Sequence, residues 1–199
     1  MLPLLVMFAC DPSDISDKGA GDDTDTTDTT DTTDTTDTTD TTDTPDTDPP
    51  TGERPAVCIN EYMSSNHQAL VLPDGTAPDW IELYNPTNGP IDLGGWWLSD
   101  DPAVPDKHVL ASNLRVRAGD FLVLYADDDV EDGEDHLGFS IDNDGEVLVL
   151  TDLSGRAESI DVVTSPADFA MARVPDCCRG PDCWRSVSLG SPGATNGSR

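Results

Sequence analysis

Basic residues are scarce in this chain, which has 10 lysines and arginines against 40 aspartates and glutamates and a formal net charge of −30 at pH 7. A protein this acidic repels the phosphate backbone of nucleic acids, and no basic stripe is visible in the sequence. Nucleic acid is therefore excluded as an expected partner. The same negative charge attracts divalent cations and basic protein surfaces.

Long apolar runs are also missing. The run near the start, Leu2–Ala9, is far too short to span a bilayer but fits the hydrophobic region of a signal peptide. It is followed by Cys10, after which the chain becomes acidic at once. A small residue before a cysteine at the end of an apolar run resembles a bacterial lipobox. Residues 1–10 are therefore predicted to be a signal peptide, cleaved before Cys10, whose diacylated thiol anchors the protein in a lipid bilayer.

Two departures from the lipobox pattern keep an alternative open. No lysine or arginine precedes the apolar run, which suggests an upstream start codon, and Met7 lies where leucine is usual. The alternative is an ordinary cleaved signal or a spurious start. The predicted location is the extracytoplasmic cell envelope. The outer membrane or cell surface is favoured over the inner membrane, although Asp11 resembles the inner-membrane retention signal of some Gram-negative bacteria.

A repeat follows this leader. Between Asp25 and Thr42 the triplet Asp-Thr-Thr occurs six times in succession. A segment without apolar residues has nothing to bury, so it cannot offset the entropy of ordering. We predict that residues 11–54, with fifteen acids and two bases, form a disordered spacer extended by charge repulsion. A bare spacer is the preferred interpretation, and an O-glycosylated stalk is the alternative.

Residues 55–199 are enough for one domain with its own core. They hold four cysteines, Cys58, Cys177, Cys178 and Cys183, and an even number in an exported domain predicts two disulfides. A bond between the adjacent Cys177 and Cys178 requires a strained ring, so we expect one of them to pair with Cys183 and the other with Cys58. A four-cysteine zinc site competes, but the spacing and the oxidising compartment disfavour it.

Helix signals are absent from this domain, and short β-rich runs bounded by glycine, proline, asparagine and aspartate recur instead. The pattern predicts an all-β sandwich or barrel. Asp142–Gly145 is predicted to be a hairpin turn in which the glycine supplies a positive φ. The predicted strands are Val57–Met63, Trp80–Tyr84, Ile91–Leu98, His108–Leu110, Phe121–Tyr125, Gly138–Ile141, Glu146–Leu150, Ser159–Val163 and Ala172–Val174.

Six segments resemble the lamin tail domain in order and spacing. They are Ile59–Glu61, Asp79–Asn85, Asp92–Trp96, Leu98–Asp100, Ala118–Tyr125 and Ser191–Asn196. The resemblance implies an immunoglobulin-like β-sandwich, which in bacteria is an accessory module of exported and surface proteins, alone or beside nucleases and phosphatases. It implies no catalytic residues. The DNA binding and filament assembly of nuclear lamins do not carry over, because the basic surface and the coiled-coil rod are missing.

Three aromatic side chains are predicted to lie in the core of the sandwich: Trp80, Tyr84 and Trp96. Gly94-Gly95 is predicted to form a bulge that places Trp96 and Leu98 inward, so that Trp97 faces outward. An outward tryptophan is a candidate binding residue. The alternative is that a neighbouring loop covers Trp97.

Seven of the nine residues from Asp127 to Asp135 are acidic. These carboxylates repel one another unless the loop spreads or a cation such as calcium, which prefers six to eight oxygen ligands, bridges them. The EF-hand pattern fails, because Val130 and Phe139 lie where acids are required. A solvated acidic loop is therefore the preferred interpretation, and calcium is the one cofactor considered. Its candidate ligands are Asp127, Asp129, Glu131 and Asp132.

No catalytic motif is visible. The histidines His67, His108 and His136 lie far apart without a paired metal motif, and Gly190–Gly193 is not a nucleophile elbow. We therefore predict a non-enzymatic envelope lipoprotein whose β-sandwich binds an unknown envelope protein or glycan. The alternative is an envelope hydrolase, or an accessory subunit of a nuclease or phosphatase, with a site that the sequence does not reveal.

Overall fold

A computed structural model describes residues 54–197. The chain divides into two units, Met1–Thr44 and Pro45–Arg199, and the described residues belong to the second. The predicted signal peptide, the predicted anchor Cys10 and the predicted spacer up to residue 53 lie outside the described residues. Within residues 54–197, no helix has the length and apolar character that crossing a bilayer requires.

Regular structure in the described part consists of β-strands and one short 3₁₀ turn, Pro181–Cys183. The predicted all-β class is therefore confirmed. The strands are β1 (Cys58–Met63), β2 (Asp79–Tyr84), β3 (Ile91–Asp92), β4 (Trp97–Ser99), β5 (His108–Val109), β6 (Arg115–Val116), β7 (Phe121–Ala126), β8 (His136–Leu137), β9 (Val147–Thr151), β10 (Ala157–Asp161), β11 (Phe169–Arg173) and β12 (Trp184–Ser188).

Two sheets pack face to face as a β-sandwich. One has six strands in the order β12-β11-β1-β2-β7-β8, the other has four in the order β10-β9-β4-β5, and β3 pairs separately with β6. Neighbours are antiparallel except β7 and β8, which are parallel. The main core lies between the sheets, where Ile59 and Leu124 of the first meet Leu98 and Leu148 of the second.

A β-bulge at Asn60 decides which side chains of β1 face this core. The register of β1 against β2 shifts between Ile59 and Glu61, which leaves Asn60 as the extra residue. Ile59 and Tyr62 therefore both join the main core although they are three positions apart. By strand alternation from Tyr62, Glu61 faces the opposite side of the six-stranded sheet, which we call its outer face.

The three predicted core aromatics do not share one environment. Trp96 joins the main core. Trp80 is fully buried, but in a second cluster with Met63 on the outer face. Tyr84 is half-buried and stacks on Phe121 with ring centroids 4.7 Å apart. Trp80 is therefore buried as predicted, but in this second cluster and not between the sheets, and the prediction was wrong for Tyr84. On β2 both side chains alternate with the residues that face inward.

Gly94-Gly95 forms a β-turn, so the predicted bulge is wrong. The amide of Trp96 donates to the carbonyl of Leu93 at 2.9 Å, and Gly95 has a φ of 82° that favours glycine. A Cβ on Gly94 would lie 2.8 Å from the Cα of Ser112. The turn therefore needs glycine at one position for its conformation and at the other for space.

The turn still gives the facing that was predicted for β4. Trp96 and Leu98 are 6% and 0% exposed, whereas Trp97 is half-buried on the other face. In the sheet register Trp97 lies between Val109 of β5 and Thr151 of β9. Its role as a binding residue stays a prediction.

Asp142–Gly145 is a turn but not a hairpin. The amide of Gly145 donates to the carbonyl of Asp142 at 3.2 Å, and Gly145 has the expected positive φ. The predicted strand before it forms only an isolated bridge, between Ser140 and Asp127. The turn leads from the six-stranded sheet into β9 of the four-stranded sheet, so the strands on its two sides do not pair.

Two disulfides are present, as predicted, between Cys58 and Cys177 and between Cys178 and Cys183. This is one of the two pairings that the sequence left open, and it occupies all four cysteines that the zinc alternative required. The first bond joins β1 to the segment after β11 across 119 residues of sequence. The second closes the short turn before β12.

We predict that Trp96→Ala destabilises the fold far more than Trp97→Ala. Trp96 is buried between the sheets, and truncation of a core tryptophan costs about 3–5 kcal/mol. Trp97 is half-buried on the other face, so its removal exposes less new apolar surface. Urea unfolding of both variants measures the difference, and a larger loss for Trp97→Ala would show that this facing is wrong.

Candidate functional site

An open groove of about 680 Å³ runs along one side of the sandwich. It lies where β10 ends the four-stranded sheet and β11 and β12 end the six-stranded sheet. Ligand sites in proteins typically have volumes of about 300–1,000 Å³, so the groove is large enough to bind one. The described residues that line it are Arg54, Tyr62, Ser159, Ile160, Asp161, Val163, Met171, Arg173, Gly180, Pro181 and Trp184.

Trp184 forms an aromatic wall of the groove. The guanidinium of Arg173 lies over its ring, 4.9 Å from the centroid, and Tyr62 meets it edge-on at 5.8 Å. The hydroxyl of Tyr62 donates to the carbonyl of Asp161 at 3.3 Å and accepts from the amide of Val163 at 3.0 Å. Burial raises the pKa of Tyr62, so the hydroxyl stays protonated and both bonds persist.

A buried ion pair lies beneath this wall and links the two sheets. Nη2 of Arg173 donates to Oε1 of Glu158 at 2.9 Å, and Nη1 donates to the carbonyl of Cys178 at 3.0 Å. Oε2 of Glu158 accepts from the amide of Ile59 at 2.9 Å. The two charged side chains are 4% and 2% exposed. The groove is therefore built on a fixed base, since breaking a buried pair costs about 3–5 kcal/mol.

The outer face of the six-stranded sheet buries two further carboxylates, Glu61 of β1 and Glu82 of β2, directly opposite each other. The C-terminal segment Ser191–Asn196 covers them. The amide of Ser191 donates to both oxygens of Glu61 at 3.1 Å. The amide of Gly193 donates to Oε2 of Glu82 at 2.6 Å. Backbone amides thus replace the water that both carboxylates lose on folding.

Asn60, the extra residue of the bulge, ties these carboxylates to the rest of the domain. Its Nδ2 donates to Oε1 of Glu82 at 3.1 Å and to Oδ1 of Asp176 at 3.0 Å. Its Oδ1 accepts from the amide of Cys177 at 2.9 Å. We call Asn60, Glu61, Glu82, Asp176 and Ser191 the buried acid network. It is covered by the chain itself, so it supports the fold and does not form the binding site.

Burial raises the pKa of Glu82 to about 8. The side chain of Asn60 and the amide of Gly193 oppose this shift by donating to the carboxylate, and the charges of Glu61 and Asp176 add to it. The sequence offered a signal for this network, because acids interrupt the otherwise apolar strands β1 and β2. In the sequence these acids served as markers of the family resemblance, and their role in the network was missed.

The acidic loop Asp127–Asp135 joins the parallel strands β7 and β8. It brings Asp127 and Asp132 together with His136, whose potential ligand atoms all lie within 4.8 Å of one another. Nδ1 of His136 is 2.7 Å from Oδ2 of Asp127, and His136 is only 7% exposed. A histidine nitrogen with two carboxylates suits zinc or a similar transition ion better than calcium, which prefers oxygen.

The predicted calcium ligands therefore divide into two groups. Asp127 and Asp132 lie in the group with the histidine, whereas Asp129 and Glu131 do not belong to it. Oδ1 of Asp129 instead accepts from the amide of Glu131 at 3.2 Å, a contact that shapes the loop. His108 does not belong to this group either, and its Nδ1 accepts a hydrogen bond from the amide of Gly138. Calcium binding stays a prediction.

A family model, described as the Lamin Tail Domain, matches residues 50–167. No curated protein and no solved structure matches the chain. The matched span includes β1 to β10 and ends before β11. The C-terminal segment that covers the buried acid network therefore follows the matched span, although its sequence carries part of the same resemblance.

We predict that Glu82→Gln removes part of the pH dependence of stability. The pKa of Glu82 is about 8 in the folded protein and 4.5 when exposed. The folded state thus keeps a proton that the unfolded state releases between about pH 5 and pH 8, and the stability this confers is lost as the pH rises through that window. The free energy of unfolding of the wild type should fall, relative to the variant, by up to about 1.4 kcal/mol per pH unit.

Denaturant unfolding of both proteins at several pH values across this window measures the effect. A constant difference between the two proteins, whatever its size, would contradict the assigned pKa of Glu82. A wild type that becomes progressively less stable than the variant as the pH rises supports it, because only the ionisable side chain differs.

We predict that zinc stabilises the domain through the His136 group. A ligand at about 100 times its dissociation constant adds about 2.7 kcal/mol, which a melting curve detects. Calcium tests the oxygen-only alternative, and magnesium at equal ionic strength controls for charge screening. His136→Gln should abolish the zinc shift, whereas His67→Gln, at an exposed histidine, should not. Equal shifts with all three ions would leave the loop as a solvated acidic segment.

Proposed function

The chain belongs to the lamin tail domain family, whose immunoglobulin-like β-sandwich has no catalytic site of its own, and from this premise we propose a binding function at the cell envelope. In this proposal Cys10 is a lipid anchor, residues 11–54 are an acidic spacer, and the β-sandwich binds a protein or glycan partner outside the cytoplasm. The outer membrane or cell surface is favoured over the inner membrane.

The open groove between β10 and β12 carries the binding role. Its volume of about 680 Å³ suits a ligand, and Trp184 lies in its wall with one ring face supported by Arg173. Tryptophan is enriched among residues that dominate binding energy. A wall held by a buried ion pair needs little ordering when a partner binds, which favours affinity.

Charge supports the role of the spacer. Residues 11–54 carry a net charge of −13, and residues 55–199 carry −17. Like charges on the spacer and the domain repel each other, and both are repelled by an anionic membrane surface. This repulsion is what supports a spacer role for residues 11–54 in the proposal.

A metal-dependent envelope hydrolase is the second candidate. The observation that favours it is the group formed by Asp127, Asp132 and His136, since bound zinc can activate water. Metal-dependent turnover of phosphoester or glycan substrates would support this candidate. Crosslinked capture of an envelope partner by the intact chain, without turnover, would support the binding module.

We predict that Cys10→Ser releases the protein from the envelope membranes. The wild type should incorporate labelled palmitate and sediment with membranes, because two acyl chains anchor a protein stably. The variant has no thiol at this position, so it should remain unlabelled and soluble. Equal palmitate labelling of the two proteins would exclude Cys10 as the anchor. Labelling of neither protein would leave the ordinary cleaved signal peptide as the explanation.

A further inference from the structure

Among residues 54–197, strand β10 pairs with β9 alone, so one of its edges lies outside the sheet ladder. The amide of Val162 donates to the carbonyl of Glu146 at 2.8 Å, and the register continues with Ile160 opposite Leu148. Even-numbered residues of β10 therefore point their backbone groups at β9. Because antiparallel strands alternate, odd-numbered residues point theirs at the other edge.

Tyr62 confirms which groups face that edge. Its hydroxyl bonds the carbonyl of Asp161 and the amide of Val163, both at odd-numbered positions. The amide of Asp161 and both backbone groups of Ser159 lie on the same edge and outside the β9–β10 ladder. Ser159 and Asp161 are exposed, and both line the groove.

The six-stranded sheet provides the floor beside this edge. Met171 of β11 and Trp184 of β12 line the groove and are half-buried, and both pack against the margin of the main core. Strands β11 and β12 continue the six-stranded sheet beyond β1. Strand β10 of the other sheet lies over β1. In the described part of the chain, the position next to β10 and above β11 and β12 is therefore unfilled.

We propose that this groove binds an extended peptide segment of a partner protein, which adds to β10 as a further strand. Main-chain hydrogen bonds to Ser159 and Asp161 hold the segment, and its alternate apolar side chains pack on Met171 and Trp184. A glycan has no backbone that could continue a β-ladder. The inference rests on the proposed binding function and names the class of partner.

The negative charge of the domain determines which peptide segments can bind in the groove. The domain carries a net charge of −17 over residues 55–199, and Asp161 is exposed at the rim of the groove. The arginines at the groove, Arg54 and Arg173, both contact Glu158, which offsets part of their charge. An acidic strand is repelled by this domain, so the partner segment is neutral or basic.

Two matched proline variants test the edge. Ser159→Pro removes an outward amide from β10, and proline is tolerated in edge strands where the amide faces away from the ladder. Ser186→Pro is the control on β12. There the amide of Leu189 donates to Asp168 and that of Val174 donates to Cys183, so by alternation the amide of Ser186 also points outward.

The probe is a short peptide of alternating valine and threonine with lysine at both ends, added to the full-length chain. We expect it to bind the wild type and to protect the amides of Ser159 and Asp161 from hydrogen exchange. Ser159→Pro should weaken binding about tenfold, in line with the loss of a main-chain bond and its geometry. Ser186→Pro should bind as the wild type does.

Two altered peptides keep the test independent of the folding of any variant. A peptide N-methylated along one edge keeps its side chains but cannot form the ladder, so it should not bind. A peptide with glutamate in place of lysine should bind more weakly than the original. Equal binding of the N-methylated peptide would overturn strand addition.

Three further results would overturn the proposal. The first is that Ser186→Pro weakens peptide binding more than Ser159→Pro does. The second is that the chain binds glycans but not peptides. The third is that the chain associates with itself and Ser159→Pro abolishes this association, which would make a second copy the occupant. If an envelope partner is captured equally by Ser159→Pro and the wild type, this groove is wrong although the binding module remains. If the chain captures no partner at all, the proposed function fails instead.

Discussion

Two carboxylates buried side by side on the outer face of the six-stranded sheet are the constraint on which the structure depends. Glu61 and Glu82 are both fully buried, and a carboxyl group withdrawn from water costs free energy unless hydrogen bonds replace its hydration. The amides of Ser191 and Gly193 supply those bonds. The end of the domain must therefore lie across its first two long strands, and the disulfide between Cys58 and Cys177 fixes the same region.

The bulge at Asn60 connects this network to the groove. Without the bulge, and with Asn60 in a regular strand position, alternation from Ile59 would send Glu61 into the apolar core and Tyr62 to the outer face. With it, Tyr62 reaches the groove and bonds β10, while the amide of Ile59 meets Glu158 inside the sandwich. A single irregularity in β1 thus places an acid network on one face of the sheet and the support of the groove on the other.

The sequence predicted the features that depend on composition and local pattern. It failed to predict the features that depend on contacts between distant segments of the chain. Alternation and turn residues gave the all-β class and the long strands, and cysteine parity gave two disulfides. Strand β12 was missed because Trp184–Ser188 has little apolar alternation and is defined by its pairing with β11. The groove was missed for a related reason, since Tyr62, Asp161 and Trp184 come from three separate parts of the chain. Pairing between distant strands leaves little local trace.

The negative charge of the domain explains how a strand edge that is unpaired within the described part of the chain can persist. An unpaired edge is a template for pairing with further copies of the same protein, and natural sheets protect such edges with charge. Here Asp161 lies on β10 itself, and the whole domain carries −17, so two copies repel each other before their edges can meet. The same field favours approach by a basic segment. One property of the sequence, its shortage of lysine and arginine, therefore opposes self-pairing and favours a basic segment as the proposed partner.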